Sequence, residues 1–347
     1  MLLIQAIRLL TLGTLSFLFA MLVSGPVLHI LKNYQFGKQI RPEADAPVFA
    51  KFHKKKEGTP TMGGVIIWGT TLALAILFGI GNYLFNGVFH HLNFINRAET
   101  YLPLAALFFA AVVGLVDDLM GVLKWGPKGG GLSMKGKLVL YVAIAALGSL
   151  WFYFRLGWNT MHIPLWGDLT IGVWYIPLFI FVLTASAFST NETDGLDGLA
   201  AGVLMCSFAA LGVVAFANHK YDLSAFIVVL VGALVAFLWN NVYPAKFFMG
   251  DTGAMSLGIV LGIIAMLTNT VLLLPFFSFI LVVESLSVII QMASKKFRHK
   301  KVFFSTPIHH HFEALGFPET NITMKFWIIS GISAGLGLII FFLDKYH

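Results

Sequence analysis

The chain has 347 residues, of which 58% are hydrophobic and only 11% are charged. A soluble globular domain carries about 25% charged residues, so this composition excludes a water-soluble domain, a disordered chain and a coiled coil. The net charge of +7 and the mean hydropathy of +0.84 predict instead one integral membrane domain over residues 1–347.

Ten apolar stretches follow one another along the chain, which predicts an all-α polytopic membrane protein of about ten transmembrane helices. The first stretch is too long for a signal peptide and is expected to be retained. The single cysteine, Cys206, lies in an apolar stretch and is expected to serve packing. The predicted spans are residues 6–31, 61–86, 101–119, 137–155, 172–190, 199–217, 223–242, 253–271, 273–293 and 326–343.

The loops between these spans form two alternating sets, one of which holds 18 of the 23 Lys and Arg residues. Because cytoplasmic loops are enriched in these residues, this set is predicted to be cytoplasmic and both termini to lie outside. Residues 156–171, on the outer side, are predicted to form a small structural hairpin. The basic set comprises residues 32–60, 120–137, 191–198, 243–252 and 294–325.

Acidic residues gather at the predicted cytoplasmic end of the spans. An ionised carboxylate near hydrocarbon is costly, so carboxylates delivered there by three separate chain segments predict a common site. These residues are Asp117, Asp118, Glu192, Asp194, Asp197 and Asp251.

Two of these segments are VDD and TDGLDG. Asp117 and Asp118 end the third span, where adjacent carboxylates need a nearby cation, a raised pKa or solvation. A solvated helix end is the alternative, although the helix dipole disfavours acids at a helix C-terminus. Asp194 and Asp197 stand with two glycines that permit close backbone approach, and a capped turn is the alternative there.

The third segment is YPAKFFMGDTG. Asp251 precedes a predicted helix start, where phosphate binds readily and where a carboxylate can hold a divalent cation that bridges phosphate oxygens. A structural N-cap is the alternative for Asp251. Phe247 and Phe248 can stack a nucleobase or simply pack.

The motif TPIHHHFEALG carries His309, His310 and His311 on the largest cytoplasmic loop. Neighbouring residues of a helix differ by about 100° in direction, so the three imidazoles are not expected to share one metal. We expect them to contact phosphates or to tune proton transfer at the mouth of the site, and simple solvation is the alternative.

Lysines flank the acidic segments. Lys56 stands beside a Gly-Thr-Pro-Thr turn, where it can hold a phosphate, and Lys137 opens the fourth span. For Lys137 and its neighbours, a topogenic or headgroup charge and a phosphate clamp both stay open. Lys54 and Lys55 are interpreted as topogenic charges, and the neighbours of Lys137 are Lys124, Lys128 and Lys135.

Glu284 lies inside the ninth span, with Gln291 two turns further on. A helix-to-helix hydrogen bond and a contact with substrate explain such a glutamate equally well. Together, acids, cations and aromatic residues at one membrane face favour phosphoryl transfer from a soluble nucleotide donor to a lipid acceptor.

In this order, the motifs resemble the bacterial phospho-N-acetylmuramoyl-pentapeptide transferase (MraY, or translocase I) family, of the polyprenyl-phosphate N-acetylhexosamine-1-phosphate transferase superfamily. The resemblance covers nearly the whole chain, and PIHHHFE is its most discriminating motif, because wider relatives that transfer other sugar phosphates share the acidic motifs but lack the histidine run in this form. The matching motifs are GTPTMGG (58–64), VDD (116–118), TDGLDGLA (193–200), YPA with FMGDTG (243–253), VVESLSVIIQ (282–291) and PIHHHFE (307–313).

The resemblance implies transfer of phospho-MurNAc-pentapeptide from its UDP carrier to undecaprenyl phosphate, giving lipid I and UMP, with Mg2+ and as a homodimer. It makes Asp251 the magnesium ligand, Asp117 and Asp118 the essential acidic pair, and Asp117 the base for direct attack by the lipid phosphate. A two-step route through a carboxylate nucleophile stays open. The positions associated with nucleotide, sugar or phosphate binding are Lys56, Lys137, Asn191, Asp194, Asp197, Asn241, Phe248, Gly250, Gln291 and His309 to His311.

Two residues depart from the family pattern. Phe188 replaces an amide near the active site, and Glu192 replaces a leucine beside the uridine pocket. A carboxylate at position 192 repels the donor diphosphate unless it is paired.

Three other functions compete with this interpretation. A sister enzyme would transfer GlcNAc-1-phosphate, or a similar sugar phosphate, to the same lipid. A transporter would place ionisable groups near the bilayer midplane, whereas these acids cluster at one face. A scaffold that has lost activity is the third alternative, because of Phe188 and Glu192.

Overall fold

The structure is a computed structural model that describes residues 2–34, 36–37, 56, 58–85, 87–126 and 130–346. The predictions for Lys54, Lys55 and Lys128 fall outside these residues.

The described residues form an almost entirely helical protein. The α-helices are α1 (Leu2–Asn33), α2 (Val65–Phe85), α3 (Val88–Leu92), α4 (Ala98–Val122), α5 (Met134–Leu150), α6 (Tyr175–Thr193), α7 (Leu199–Ala217), α8 (Tyr221–Asn241), α9 (Gly250–Leu267), α10 (Leu274–Phe277), α11 (Phe279–Arg298), α12 (Ile308–Ala314) and α13 (Glu319–Tyr346). Single turns of other helix types cover Trp151–Arg155, Gly172–Trp174 and Val271–Leu273.

Within the described ranges, nine helices are long and apolar enough to cross a membrane, and a bent pair makes a tenth span. The prediction of about ten transmembrane helices is therefore confirmed. The span predicted at 273–293 differs from a straight helix, because Val271–Phe277 and Phe279–Arg298 meet at 90°. At the bend, Ser207 of α7 donates a hydrogen bond to the Phe277 carbonyl (2.9 Å). This bond takes the place of the backbone hydrogen bond that the carbonyl would accept in a continuous helix.

Helix α9 lies at the centre of the bundle, and 89% of its residues are buried inside the protein. It packs against α4 and α6 so closely that backbone atoms of the helices touch, and only glycine residues allow so close an approach. A methyl group added at Gly258 would lie 2.6 Å from the Cα of Ala187, and one at Gly114 would lie 2.7 Å from the Cα of Thr252. These contacts place the first turn of α9 beside the C-terminal ends of α4 and α6.

Both chain termini lie at the end of the bundle where α7 passes into α8. Near the N-terminus, Arg8 pairs with Asp222 at 2.8 Å. Near the C-terminus, Lys345 donates to Asn218 at 2.9 Å. The two termini therefore share one end, as ten spans require. That this end lies outside the cell stays a prediction.

A small antiparallel hairpin lies at the same end and confirms the predicted one. Its strands are β1 (Thr160–Ile163) and β2 (Gly167–Thr170). The two ring nitrogens of His162 each lie 2.7 Å from a carboxylate oxygen, one of Asp168 and one of Asp344 on α13. Burial lowers the pKa of His162, but these two carboxylates outweigh burial and raise it above its ordinary value.

Candidate active site

Four helices, α4, α5, α6 and α9, bring two carboxylates, one ammonium group and one amide together at the other end of the bundle. The Nζ atom of Lys137, on α5, lies 2.9 Å from Asp117 Oδ2 and 2.6 Å from Asp251 Oδ2. Asn191, at the end of α6, donates its amide to Asp251 Oδ1. The other oxygen of Asp117 accepts the backbone N–H of Leu132 at 2.5 Å. Carboxylates from segments that are far apart in the chain thus meet at the Lys137 ammonium group, as the prediction of a common acidic site requires.

Asp118 caps α9 rather than facing Lys137. Its two oxygens accept the backbone N–H groups of Asp251 (3.1 Å) and Thr252 (3.0 Å). A carboxylate there satisfies free amides and opposes the positive end of the helix dipole. Gly250 has a φ of +74°, and a methyl group on it would lie 2.6 Å from Asp118 Oδ2. Its N–H donates to Asp194 at 3.2 Å, so Asp118 and Asp194 both position the start of α9.

Lys56 belongs to a second charged cluster beside the first. Its Nζ atom lies 2.6 Å from Asp197 Oδ1 and 2.5 Å from Glu319 Oε1. Glu319 also accepts the backbone N–H of Asp197 at 2.6 Å, and Asp197 accepts that of Ala245 at 2.9 Å. The ring of Phe248 lies 5.8 Å from the same ammonium group. Glu319 was not identified from the sequence. Its position as the acidic residue in the first turn of the last helix is the signal that could have found it.

The loop before α9 is fixed by an amide and an aromatic core residue. Asn241 accepts the N–H of Gly198 (3.1 Å) and donates to the Phe247 carbonyl (2.9 Å). Phe247 is fully buried against Phe237, so packing is the correct alternative for it. Phe248 is half-buried and stands beside Lys56. The two neighbouring aromatic residues therefore have different surroundings.

Two of the three consecutive histidines are buried, so simple solvation is wrong for them. His309 Nδ1 lies 2.9 Å from Glu284 Oε2, and both side chains have 0% exposure. Burial lowers the pKa of His309, but the Glu284 carboxylate outweighs it, so the pKa lies above its ordinary value. His310 Nδ1 lies 2.6 Å from Glu313.

The third histidine serves the loop that precedes α12. His311 Nδ1 accepts the backbone N–H of Phe304 at 3.2 Å, and its ring stacks on the Phe304 ring at 5.5 Å. The three imidazoles therefore have three different partners, in keeping with the 100° rotation between helical neighbours.

Comparison with known proteins decides the family. A model described as glycosyl transferase family 4 matches residues 100–269, and the phospho-N-acetylmuramoyl-pentapeptide-transferase signature 1 matches residues 56–67. A Chloroflexus aggregans protein named phospho-N-acetylmuramoyl-pentapeptide-transferase is 36% identical over 344 residues, which cover 95% of this chain and 89% of the relative. A protein of the same name from Geobacillus sp. (strain WCH70) is 38% identical, covering 94% of this chain and 95% of the relative. This chain belongs to the phospho-N-acetylmuramoyl-pentapeptide-transferase family.

Family membership and the apolar helices make the chain a transferase and a multi-pass protein of the bacterial inner membrane. The family-4 match spans both acidic segments that meet at Lys137, and the signature match includes Lys56. Asp117, Lys137 and Asp251 therefore lie within the family-4 match, whereas Glu319 of the second cluster lies outside both matched ranges.

Gln291 of this transferase holds a loop in place. Its Oε1 accepts the N–H groups of Val302 (2.9 Å) and Phe303 (3.1 Å), and its Nε2 donates to the Phe303 carbonyl (2.9 Å). The side chain is only 3% exposed. Its part in substrate binding stays a prediction, whereas its hydrogen bonds to the loop at Val302 and Phe303 are visible.

Phe188 and Glu192 are the two departures from the family pattern. Phe188 is half-buried and packs against the hydrophobic core. Glu192 is half-buried and lies within electrostatic range of His309 and of Tyr141. Tyr141 stands one helical turn after Lys137, close enough to Asp117 and Asp251 for their charges to act on it, and it was not singled out from the sequence.

The acidic cluster suits a hard divalent cation. Two carboxylates, those of Asp117 and Asp251, pair with one ammonium group, that of Lys137, so carboxylates outnumber lysine at this position. Mg2+ prefers such oxygen ligands and keeps several of its waters, so it needs few protein ligands. Over the described ranges, no group of three His, Cys, Asp or Glu side chains forms a complete ion cage. The residues present fit a cation held by one or two carboxylates.

Proposed function

We propose that this protein transfers phospho-MurNAc-pentapeptide from UDP-MurNAc-pentapeptide to undecaprenyl phosphate, which gives lipid I and UMP. The observation that carries the proposal is the Lys137 ammonium group joined to Asp117 and Asp251 at one end of a membrane bundle. The names of the relatives support phospho-N-acetylmuramoyl-pentapeptide as the transferred group. A charged site at the end of apolar helices suits a reaction between a soluble nucleotide and a lipid phosphate.

In the one-step route, an oxygen of the lipid phosphate forms a new bond to the β-phosphorus of the donor. The bond from that phosphorus to the oxygen shared with the α-phosphate breaks, and UMP leaves with the electron pair. In this route we assign Asp117 as the base that accepts the proton of the lipid phosphate. Asp118 keeps the start of α9, and with it Asp251, in position. The two-step route through a carboxylate nucleophile is the alternative.

The basic residues of the two clusters are suited to hold the phosphates. Lys137 and Lys56 each bind two carboxylates in the free protein, and a phosphate offers the same kind of acceptor oxygens. We assign the three histidines to the reaction as groups that contact phosphate or exchange protons. The remaining residues assigned to nucleotide or sugar binding are Asn191, Asp194, Asp197, Asn241, Phe248, Gly250 and Gln291.

We further propose that Asp251 holds Mg2+, with the Asp117 carboxylate within reach. When bound, this ion would stabilise negative charge on the diphosphate in the transition state. The excess of carboxylates over lysine at this position supports the assignment. Assembly as a homodimer and a single domain over residues 1–347 stay predictions.

The test is Mg2+-dependent release of UMP from UDP-MurNAc-pentapeptide with undecaprenyl phosphate by the purified full chain. We expect Asp251→Asn to lose at least 100-fold in turnover, on the order of the loss that a missing charge-stabilising group causes. Asp222→Asn is the matched control, because Asp222 pairs with Arg8 at the opposite end of the bundle. Turnover of UDP-GlcNAc alone would establish the sister enzyme instead. No turnover with either donor would refute the proposed transfer.

A further inference from the structure

Glu284 and His309 form a pair that is sealed inside the protein. Both side chains are fully buried, and His309 Nδ1 lies 2.9 Å from Glu284 Oε2. The same oxygen is 3.5 Å from the backbone nitrogen of His309. Burying two ionisable groups at the junction of α11 and α12 is costly, and packing alone does not require it.

The other ring nitrogen of His309 lacks a partner. Among the described residues, no hydrogen-bonding group reaches His309 Nε2 or Glu284 Oε1, although both atoms are buried. Buried polar atoms are nearly always paired, and exceptions occur at sites with a chemical function. His309 Nε2 lies against Gly195, where an added methyl group would collide with it. The unpartnered atom is thus aimed at the TDGLDG loop.

The hydrogen bond determines which atom His309 presents. An ionised carboxylate only accepts hydrogen bonds, so the bond to Glu284 requires a proton on Nδ1. Nε2 is then the atom directed at the loop, either as an acceptor in the neutral ring or as a donor in the charged ring. The loop carries Asp194 and Asp197, which hold the start of α9 and Lys56 respectively.

We propose that Glu284 is a positioning residue: it holds His309 with Nδ1 protonated and so directs Nε2 at the Gly195 face of the TDGLDG loop. Glu284 acts through His309 and does not itself touch substrate. The consequence for turnover rests on the proposed function, whereas the protonation of Nδ1 does not. A pair that served packing alone would need the volume of Glu284 but not its charge.

The test compares the full chain with Glu284→Gln, which keeps the volume of the side chain. Nitrogen-15 NMR of histidine-labelled protein reports which ring nitrogen carries the proton, and His309→Asn identifies the resonance. We expect a protonated Nδ1 in the wild type and a shift toward Nε2 protonation in Glu284→Gln, because an amide can donate as well as accept. We expect turnover to fall about 10- to 100-fold, as when an outer partner of a functional histidine is lost.

Two further variants sharpen the test. Ser287→Ala is the matched control, because Ser287 is buried on the same helix and, among the described residues, donates its hydroxyl to the Glu284 carbonyl of that helix. It should change neither the NMR signature nor turnover. Gly195→Ala should displace the ring and alter the signature while Glu284 is intact.

An unprotonated Nδ1 in the wild type would overturn the proposal. So would an altered signature in Glu284→Gln with turnover within twofold of the wild type. If no donor is turned over, the proposed function fails, and the NMR signature still decides whether Glu284 holds His309 as described.

Discussion

Replacing Glu319 by alanine removes the single oxygen that accepts two hydrogen bonds at the start of α13. Glu319 Oε1 binds Lys56 Nζ at 2.5 Å and the backbone N–H of Asp197 at 2.6 Å. The side chains of Lys56 and Glu319 are 15% and 12% exposed, so water reaches the cluster only in part. The variant should therefore lose more stability than a variant of a surface ion pair.

The size of the loss follows from these contacts. A hydrogen bond to a charged group contributes about 1.5–3 kcal/mol. Lys56 keeps Asp197 as a partner at 2.6 Å, so we take the lower value for each of the two bonds and expect a loss of about 3 kcal/mol for Glu319→Ala. Glu319→Gln keeps an acceptor oxygen but loses the charge, and we expect about half that loss.

The assay is thermal unfolding of the purified variants in one lipid environment, followed by tryptophan fluorescence. The matched control is Glu99→Ala, which breaks a 2.7 Å pair with Lys220 whose side chains are 33% and 23% exposed. Such a pair contributes about 0–1 kcal/mol. The expected order of Tm loss is Glu319→Ala, then Glu319→Gln, then Glu99→Ala. A Tm loss in Glu99→Ala equal to that in Glu319→Ala would refute the reasoning.

Three further predictions concern packing, pH and the cation. Gly114→Ala places a methyl group 2.6 Å from the carbonyl carbon of Asp251. The resulting displacement of Asp251 should reduce UMP release more than tenfold. Gly121→Ala, whose methyl group would enter open space, should leave UMP release unchanged. Carboxylates raise the pKa of His162 above its ordinary 6.5, so the stabilisation that they provide is complete below about pH 6.5 and is lost as pH rises through the folded-state pKa. Asp344→Asn should therefore lower Tm more at about pH 6 than at about pH 9. An equal loss of Tm at both pH values would contradict this. Chelation of divalent cations should abolish UMP release and added Mg2+ should restore it, whereas release in excess chelator would argue against a cation.

The membrane class and the location of the acids could be predicted from the sequence for a local reason. Hydropathy over about 20 residues is a property of neighbours in the chain, so the spans and their ends follow from it. Because spans alternate in direction, acids at the ends of alternate spans must share a face. Asp117, near the end of one span, and Asp251, at the start of another, lie at the same face for this reason.

Other features depend on contacts that no local pattern contains. The 90° bend before α11 is invisible to hydropathy, which does not report direction. The sequence left two explanations of Glu284 open, and only the packing of α12 on α11 shows that it binds His309. Gln291 likewise reads as a polar residue in an apolar helix, whereas in the fold its amide makes three hydrogen bonds to the loop at Val302 and Phe303.

The sequence by itself therefore determined the class of protein, the approximate spans, the family resemblance and the end of the bundle that holds the acidic residues. The tertiary structure alone decided which acid faces which cation. Lys137 and Asp251 are 114 residues apart, and Lys56 and Glu319 are 263 apart. Ion pairing depends on distances of a few ångströms, and over such separations along the chain those distances are determined by how the helices pack.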